Sequence, residues 1–163
     1  MSGGFADLLE RRSRPIVTAE FPPLNGGNLD LVTQMLMPMR GCVDAVNVTD
    51  NPAAHAHASS VAVAIAVKQA GVEPIMQVVC RDRNRLALQA DAVGATMHGV
   101  VNVCALTGDD VTAGDEPEAR RVFDLDGLQL VSVLAGLSAG KYLSGRAVTL
   151  AKPLTIGAVE NPY

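Results

Sequence analysis

The sequence lacks the features that mark several common classes of binding protein. It has no tryptophan, three phenylalanines and two tyrosines among 163 residues, so it offers little aromatic surface on which nucleic-acid bases could stack. Its formal net charge is -4, so it also lacks the excess of positive charge that binds a phosphate backbone. We therefore expect no nucleic-acid partner.

Signals for disulfides, metals and membranes are also scarce. The three cysteines, Cys42, Cys80 and Cys104, are far apart and odd in number, which fits neither a disulfide framework nor a zinc site and favours a reducing compartment. The longest apolar run, residues 61–67, is too short to span a bilayer, and the N-terminus has no signal-peptide pattern. These absences predict a cytoplasmic protein with no metal site and no membrane partner.

The chain is rich in short apolar runs that alternate with stretches of helical spacing. The runs predict strands at residues 16–21, 43–48, 74–79, 100–106 and 154–159. Each is separated from the next by a predicted helix. This β-α-β-α order predicts a parallel sheet with right-handed crossovers in one α/β domain.

Helical spacing of apolar residues predicts the connecting elements. Residues 2–13 predict a short N-terminal helix, and residues 54–70 predict another. The helix between the first two strands is capped by Asn28, bent by Pro38 and ended by Gly41. The core-facing stripes are predicted to be Leu31, Val32, Met35, Leu36 and Met39 in that helix, Leu86, Ala90, Val93 and Met97 after the third strand, and Leu128, Val131 and Leu134 in a helix that begins at Asp124 or Asp126.

Polar and charged residues collect where the predicted strands end. They are Glu20, Thr49-Asp50, Arg81-Asp82, Asp109-Asp110 and Glu160-Asn161. The carboxyl ends of parallel strands share one edge, which in a closed barrel carries the active site, so the pattern predicts a shared site. Within the long acidic loop after the fourth strand, Asp110 and Asp115 are predicted to order the loop, and the spacing does not fit a calcium-binding loop.

Three arginines, Arg81, Arg83 and Arg85, follow the third strand. Such a run usually forms a solvated face, and Asp82 can pair with one of its members. The start of a helix disfavours cations, so a second interpretation is an anion-binding group for the phosphate or carboxylate of a ligand. The sequence leaves both interpretations open.

Several segments together resemble the methylenetetrahydrofolate reductase family. They are Ala19-Glu20-Phe21-Pro22-Pro23, Val48-Thr49-Asp50-Asn51-Pro52, Cys80-Arg81-Asp82-Arg83-Asn84-Arg85, Leu106-Thr107-Gly108-Asp109-Asp110, Gly114-Asp115, Val122-Phe123-Asp124-Leu125-Asp126 and Ile156-Gly157-Ala158. They come in the family's order and cover the chain from about Pro15 to its end. The resemblance implies a (β/α)8 TIM barrel, represented here by roughly its first five β/α units, as one partial domain over residues 1–163.

The resemblance also implies a reaction in one-carbon and methionine metabolism. Members hold FAD non-covalently, reduce it with NADH or NADPH, and pass the hydride to 5,10-methylenetetrahydrofolate to give 5-methyltetrahydrofolate. By position, Glu20 resembles the general acid that helps open the imidazolidine ring, and Asp109 resembles the carboxylate that stabilises the folate cation beside the flavin. The cofactor-binding positions of the family fall on Thr49, Gln77, Leu106, Thr107, Gly108 and Asp109.

The chain departs from the family's pattern at two cofactor-binding positions and in its number of units. Thr107 stands where several members have arginine, and Gln77 stands where many have histidine. With about five units of eight, we expect a fragment, or a barrel closed by self-association or by a partner that supplies the C-terminal half. Two alternative functions stay open: a non-catalytic half-barrel that does not hold FAD alone, and a pterin-binding methyltransferase barrel that needs no flavin.

Overall fold

The short apolar runs form one parallel sheet. The computed structural model describes residues 4–11 and 13–159. The strands are β1 (Thr18–Phe21), β2 (Ala45–Val48), β3 (Pro74–Val79), β4 (Asn102–Leu106) and β5 (Thr155–Ala158). They lie in the order β1-β2-β3-β4-β5, and each neighbouring pair is parallel. The predicted parallel sheet is confirmed, and β3 has its predicted bounds.

Helices alternate with these strands along the chain. They are α1 (Phe5–Arg11), α2 (Leu29–Leu36), α3 (Ser60–Gln69), α4 (Arg85–Met97) and α5 (Gly127–Ser138). Asn28, Asn84 and Asp126 cap α2, α4 and α5 through side-chain oxygens that accept hydrogen bonds from main-chain amides. Five parallel strands that alternate with helices match five consecutive units of a (β/α)8 barrel, as the sequence predicted. Among the described residues, no helix combines the length and the apolar character that crossing a membrane requires.

One face of the sheet packs against the helices and forms the core. Phe21, Val48, Met76 and Val103 are register partners on successive strands, and all four are almost fully buried. Their neighbours in the core include Val32, Leu36, Val67, Leu88, Leu134 and Leu137 from the helices. Burying each large apolar side chain contributes about 1.5 to 3 kcal/mol, so this layer holds the helices to the sheet.

The opposite face of the sheet is much less buried. It carries Glu20, Asn47 and Ile75 in one row of register partners, and Gln77 and Cys104 in another. Glu20 is exposed and the other four side chains are partly exposed. In a closed (β/α)8 barrel this face is the interior, which explains why polar and apolar residues are mixed on it.

Two connecting helices are shorter than the sequence predicted. Regular α2 ends at Leu36, and residues 37–42 continue as turns, because Pro38 has no N–H to donate, although Met37 before it keeps right-handed helical angles. The N-terminal helix α1 covers the middle of the predicted helix 2–13, of which residues 2, 3 and 12 lie outside the described part. Glu160-Asn161 also lie outside it.

The predicted helix 54–70 begins six residues late, at Ser60. Pro52–Ala54 forms a short 3-10 turn instead, and Asn51, Ala53 and Ala54 have φ values of 46°, 52° and 59°. A right-handed helix cannot pass through left-handed residues, so the chain crosses residues 55–59 before α3 begins.

The predicted core stripe of α4 is wrong at Leu86, Ala90 and Met97, and only Val93 packs against the core. Leu86 and Met97 are 74% and 81% exposed, whereas Leu88, Ala92 and Ala95 are fully buried. The buried side also includes the polar residues Gln89 and Thr96.

These two polar side chains can be buried because their hydrogen bonds are satisfied locally. The Gln89 amide donates to the carbonyl of Arg85 at 2.8 Å and accepts from the amide of Leu143 at 2.8 Å. The Thr96 hydroxyl donates to the carbonyl of Val93 at 2.7 Å. Two further predicted core residues, Leu31 and Leu128, are also exposed, the latter because it lies at the mouth of the groove described next.

Candidate active site at the carboxyl edge of the sheet

A groove of about 580 Å³ runs along the carboxyl ends of the strands. Its lining includes every residue to which the sequence assigns a site role, namely Glu20, Thr49, Gln77, Leu106, Thr107, Gly108 and Asp109. The cause is topological, because strands that are all parallel end at the same edge of the sheet. The structure thus brings together residues that span 90 positions of the sequence, while the role of each stays a prediction.

Glu20 lies one residue before the end of β1, on the open face of the sheet. Its side chain is exposed, because β1 is an edge strand of the described sheet. Within residues 4–11 and 13–159, its carboxyl group makes no hydrogen bond or ion pair. The group is therefore available to a ligand in the groove.

Asp109 lies in the loop after β4, directly behind Gly108. Its side chain is exposed and has no hydrogen-bond partner in the described part of the chain. Its main-chain carbonyl accepts a hydrogen bond from Nη1 of Arg81 at 3.4 Å. Asp109 is thus held through its backbone, which leaves the carboxylate available to the groove.

Thr49 ends β2 at the base of the groove. The residue is 8% exposed, and its hydroxyl is buried with no hydrogen-bond partner among the described residues. A buried hydroxyl left unpaired costs about 1 to 3 kcal/mol, so a ligand atom that bonds to it would recover that energy. Gln77, on the open face of β3, adds an amide that can both donate and accept.

Gly108 and Thr107 form the turn that leaves β4. Gly108 has φ of 95°, and a Cβ atom there would lie 2.9 Å from Cγ1 of Val79, so no larger residue fits without displacement. Thr107 Oγ1 accepts a hydrogen bond from the amide of Gly127 at 2.9 Å. The Thr107 side chain is therefore engaged with α5, and its main chain is the part that lines the groove.

All three arginines after β3 are paired with aspartates, but only Arg85 lies on a solvated face, because Arg81 is buried and Arg83 is half-buried. Arg81 contacts Asp82 at 2.7 Å, Arg83 contacts Asp50 and, at 3.0 Å, Asp91, and Arg85 contacts Asp124 at 2.7 Å. Only the pairing of Asp82 with a neighbouring arginine was visible in the sequence. The other partners come from distant strand ends and helices, for which spacing gives no signal.

Asp50 is a structural residue that sequence reasoning did not single out. It is 5% exposed, and its carboxylate accepts hydrogen bonds from the amide of Val79 at 2.8 Å and from Arg83. It therefore joins the ends of β2 and β3, which fixes the edge on which the groove is built. The only signal for it was its place in the Thr49-Asp50 strand end.

Asp110 orders the loop after β4, as expected. Hydrogen bonds from the Arg121 guanidinium, followed by those from the Thr112 hydroxyl and amide, hold the pKa of Asp110 well below its ordinary value. Asp115 accepts a hydrogen bond from the amide of Ala56 at 3.2 Å. Both acids are thus committed to structure, which separates them from Asp109.

The thiols near the sheet are poor nucleophiles. Burial, together with the charge of Asp126, raises the pKa of Cys80 to about 11, and burial also raises the pKa of Cys104. Within the described residues, no group of three His, Cys, Asp or Glu side chains could hold a metal ion. The ionisable groups that remain available in the groove are the carboxyls of Glu20 and Asp109.

The model of one protein family matches most of this chain. Its description is methylenetetrahydrofolate reductase, and the match covers residues 5–146. A comparison with curated proteins finds no match. The matched range contains α1 to α5, β1 to β4 and every residue predicted for the site. The chain therefore belongs to the methylenetetrahydrofolate reductase family, whose barrel fold agrees with the five parallel β/α units seen here.

Proposed function

We propose that this chain carries the groove for flavin-dependent reduction of 5,10-methylenetetrahydrofolate to 5-methyltetrahydrofolate, with NADH or NADPH as the source of hydride. The family is one of folate reductases. The observation that carries the finer proposal is that Glu20 and Asp109, which lie in β1 and in the loop after β4 and are far apart in the sequence, line one groove with carboxyls free of described partners. We further propose that residues 1–163 act as one partial barrel domain in the cytoplasm.

Glu20 is the proton donor in this proposal. Opening the imidazolidine ring of the substrate requires a proton on the departing nitrogen. A carboxyl group that has no competing ion pair among the described residues can approach that nitrogen directly. The product of this step is an iminium cation, which is the form of the folate that accepts hydride.

Asp109 stabilises that cation. A carboxylate fixed before the reaction lowers the free energy of a positive charge that develops beside it. The groove favours such a charge, because its lining contains the unpaired carboxyls of Glu20 and Asp109, whereas its third acid, Asp50, and its single base, Arg81, are both already paired.

The residues present fit the isoalloxazine part of FAD. The unpaired Thr49 hydroxyl and the Gln77 amide offer hydrogen bonds, and the main chain of residues 106–108 lies beside apolar Ala105 and Val131. FAD supplies hydride transfer when bound, and the protein supplies placement and charge. Since the one base of the lining is paired, we expect the diphosphate to be bound by residues outside this groove.

Completion of the pocket is the role that we assign to a partner. β1 and β5 are the edges of the described sheet, and each presents one side without a strand partner within residues 4–11 and 13–159. Such edges readily accept further strands. A second copy of the chain or a separate C-terminal half would supply the remaining contacts to folate and NAD(P)H.

Titration of the purified chain with FAD, followed by flavin fluorescence and absorbance, tests the proposal. We expect saturable binding and, without oxygen, loss of the oxidised-flavin absorbance on addition of NADH or NADPH. Thr49→Val should weaken FAD binding about five-fold, which corresponds to about 1 kcal/mol for one hydrogen bond. Thr33→Val, on the exposed side of α2, is the matched control and should not change it.

Two results would replace this proposal with an alternative. A folded chain that binds no FAD, alone or with the candidate partner, would indicate a non-catalytic half-barrel. Transfer of a folate methyl group without NAD(P)H would indicate a methyltransferase.

A further inference from the structure

Arg81 connects three strand ends through one buried guanidinium. The residue lies two positions after the end of β3 and is only 2% exposed. Its Nε and Nη2 atoms donate to both carboxylate oxygens of Asp82 at 2.7 and 2.8 Å. Nη2 also donates to the carbonyl of Asn51 at 3.1 Å, and Nη1 donates to the carbonyl of Asp109 at 3.4 Å.

Asn51 and Asp82 complete this cluster, which we call the arginine clamp (Asn51, Arg81 and Asp82). The Asn51 amide donates to Asp82 at 3.2 Å and accepts from the amide of His57 at 3.0 Å. Burial acts to raise the pKa of Asp82, but hydrogen bonds from Arg81 and Asn51 outweigh it and lower the pKa. Asp82 is therefore an anion that neutralises the Arg81 charge.

The two loops that the clamp joins need an external restraint. The loop after β2 holds Asn51, Ala53 and Ala54 in the left-handed region, which costs energy for residues other than glycine. The loop after β4 begins with Gly108, whose Cα lies so near Arg81 that an added Cβ would be 3.3 Å from the arginine Cβ. The Asp109 carboxylate has no described partner of its own, so its position depends on how this main chain is held.

We propose that Arg81 is a positioning residue for the folate site, which acts by fixing the Asp109 main chain against the Asn51 loop. The inference rests on the proposed function and extends it to a residue that does not react. Because Asp82 neutralises the guanidinium, Arg81 works through the fork geometry of its donors and not through its charge.

A single substitution can test whether the geometry of the Arg81 donors matters more than its charge. Arg81→Lys keeps the positive charge but loses the bidentate contact and the two carbonyl contacts. Misplacing a catalytic group by about 1 Å can cost about 100-fold in rate, so we expect the variant to lower kcat for folate reduction by 10- to 100-fold. The KM for folate should change less than three-fold, because the groove itself remains.

The test compares Arg81→Lys with Arg14→Lys in the FAD-loaded protein. Arg14 makes a bidentate but half-exposed ion pair with Asp44 near the opposite ends of the strands, at 2.5 Å, so Arg14→Lys controls for loss of a bidentate contact far from the groove. NMR order parameters of the Asn51 and Asp109 amides give a second readout that needs no activity. We expect them to fall in Arg81→Lys and to stay unchanged in Arg14→Lys. If Arg81→Lys does not fold, Asp82→Asn loosens the same clamp. It should also lower both kcat for folate reduction and the order parameters of the two amides.

The outcomes separate the two proposals. A wild-type chain that is active, with Arg81→Lys equal to it in kcat and order parameters, overturns the positioning role and leaves the function intact. A wild-type chain that is inactive even with its candidate partner overturns the function, and the order parameters then decide whether the clamp orders the Asp109 loop. An equal loss of kcat in Arg81→Lys and Arg14→Lys would show a general effect of stability and would also overturn the inference.

Discussion

The hydroxyl oxygen of Thr107 accepts a hydrogen bond from the main-chain amide of Gly127, at 2.9 Å. This contact joins the end of β4 to the first residue of α5 and satisfies an amide that a helix N-terminus leaves unpaired. The approach is close, since a Cβ on Gly127 would lie 3.1 Å from the same oxygen. The contact therefore holds one wall of the groove in place.

Replacing Thr107 with valine removes this oxygen without changing the shape of the side chain. We expect the free energy of unfolding to fall by about 1 kcal/mol, the typical cost of losing a side-chain cap. Urea denaturation followed by circular dichroism measures it. Thr107→Ser keeps the oxygen and should be near wild type, whereas a serine variant as unstable as the valine variant would contradict the capping role.

Two glycines with similar backbone angles allow strain and crowding to be measured separately. Gly71 has φ of 83° with open space around it, while Gly108 has φ of 95° and would place a Cβ against Val79. Gly71→Ala should cost about 1 to 2 kcal/mol for the left-handed conformation alone. Gly108→Ala should cost about 1 to 3 kcal/mol more, because the neighbouring side chain must also move. If denaturant melts gave both variants the same loss in the free energy of unfolding, a Cβ at Gly108 would not be crowded by Val79.

The ion pair between Asp124 and Arg85 predicts a pH-dependent contribution to stability. Hydrogen bonds from the Arg85 side chain, and then from its amide, lower the pKa of Asp124 from 3.8 to about 2. A lowered pKa means that the folded state holds the proton less tightly than the unfolded state does. The stabilisation is therefore fully present above about pH 4 and is lost as the pH falls towards about 2.

Asp124→Asn should accordingly lower stability at pH 7 and make little difference near pH 2. Denaturant melts across this range measure the difference between the variant and wild type. Arg85→Gln removes the donor and should give the same pH dependence. A difference that stays constant with pH would show that the carboxylate is not engaged in the folded chain.

The sheet was predictable because its signals are local. β3 has its predicted bounds, since Pro74 opens it and buried residues then alternate with half-buried ones up to Val79. The α4 stripe was not predictable, because an alanine-rich helix has two apolar faces and periodicity cannot choose between them. The face with Leu88 can be buried because Gln89 and Thr96 beside it are hydrogen-bonded, and the sequence gives no sign of the distant bond from the Leu143 amide to Gln89.

As with the fold, part of the site's arrangement could be predicted from the sequence and part could not. Parallel topology is enough to bring Glu20, Thr49 and Asp109 to one groove, so their convergence could be predicted from strand order. The engagement of Thr107 with α5, and the pairing of Arg83 and Arg85 with distant aspartates, depend on loop paths. No pattern in the sequence encodes those paths, so they became visible only in the folded chain.

The most direct test of the account follows the two half-reactions of the FAD-loaded chain separately, without oxygen, for wild type and Glu20→Gln. Absorbance of the flavin reports both its reduction by NAD(P)H and its reoxidation by 5,10-methylenetetrahydrofolate. If Glu20 donates the proton that opens the folate ring, the variant should keep flavin reduction within about two-fold of wild type and lose reoxidation by at least about 100-fold. Equal loss of both half-reactions, or reoxidation at the wild-type rate, would contradict the assignment of this groove to folate reduction through Glu20.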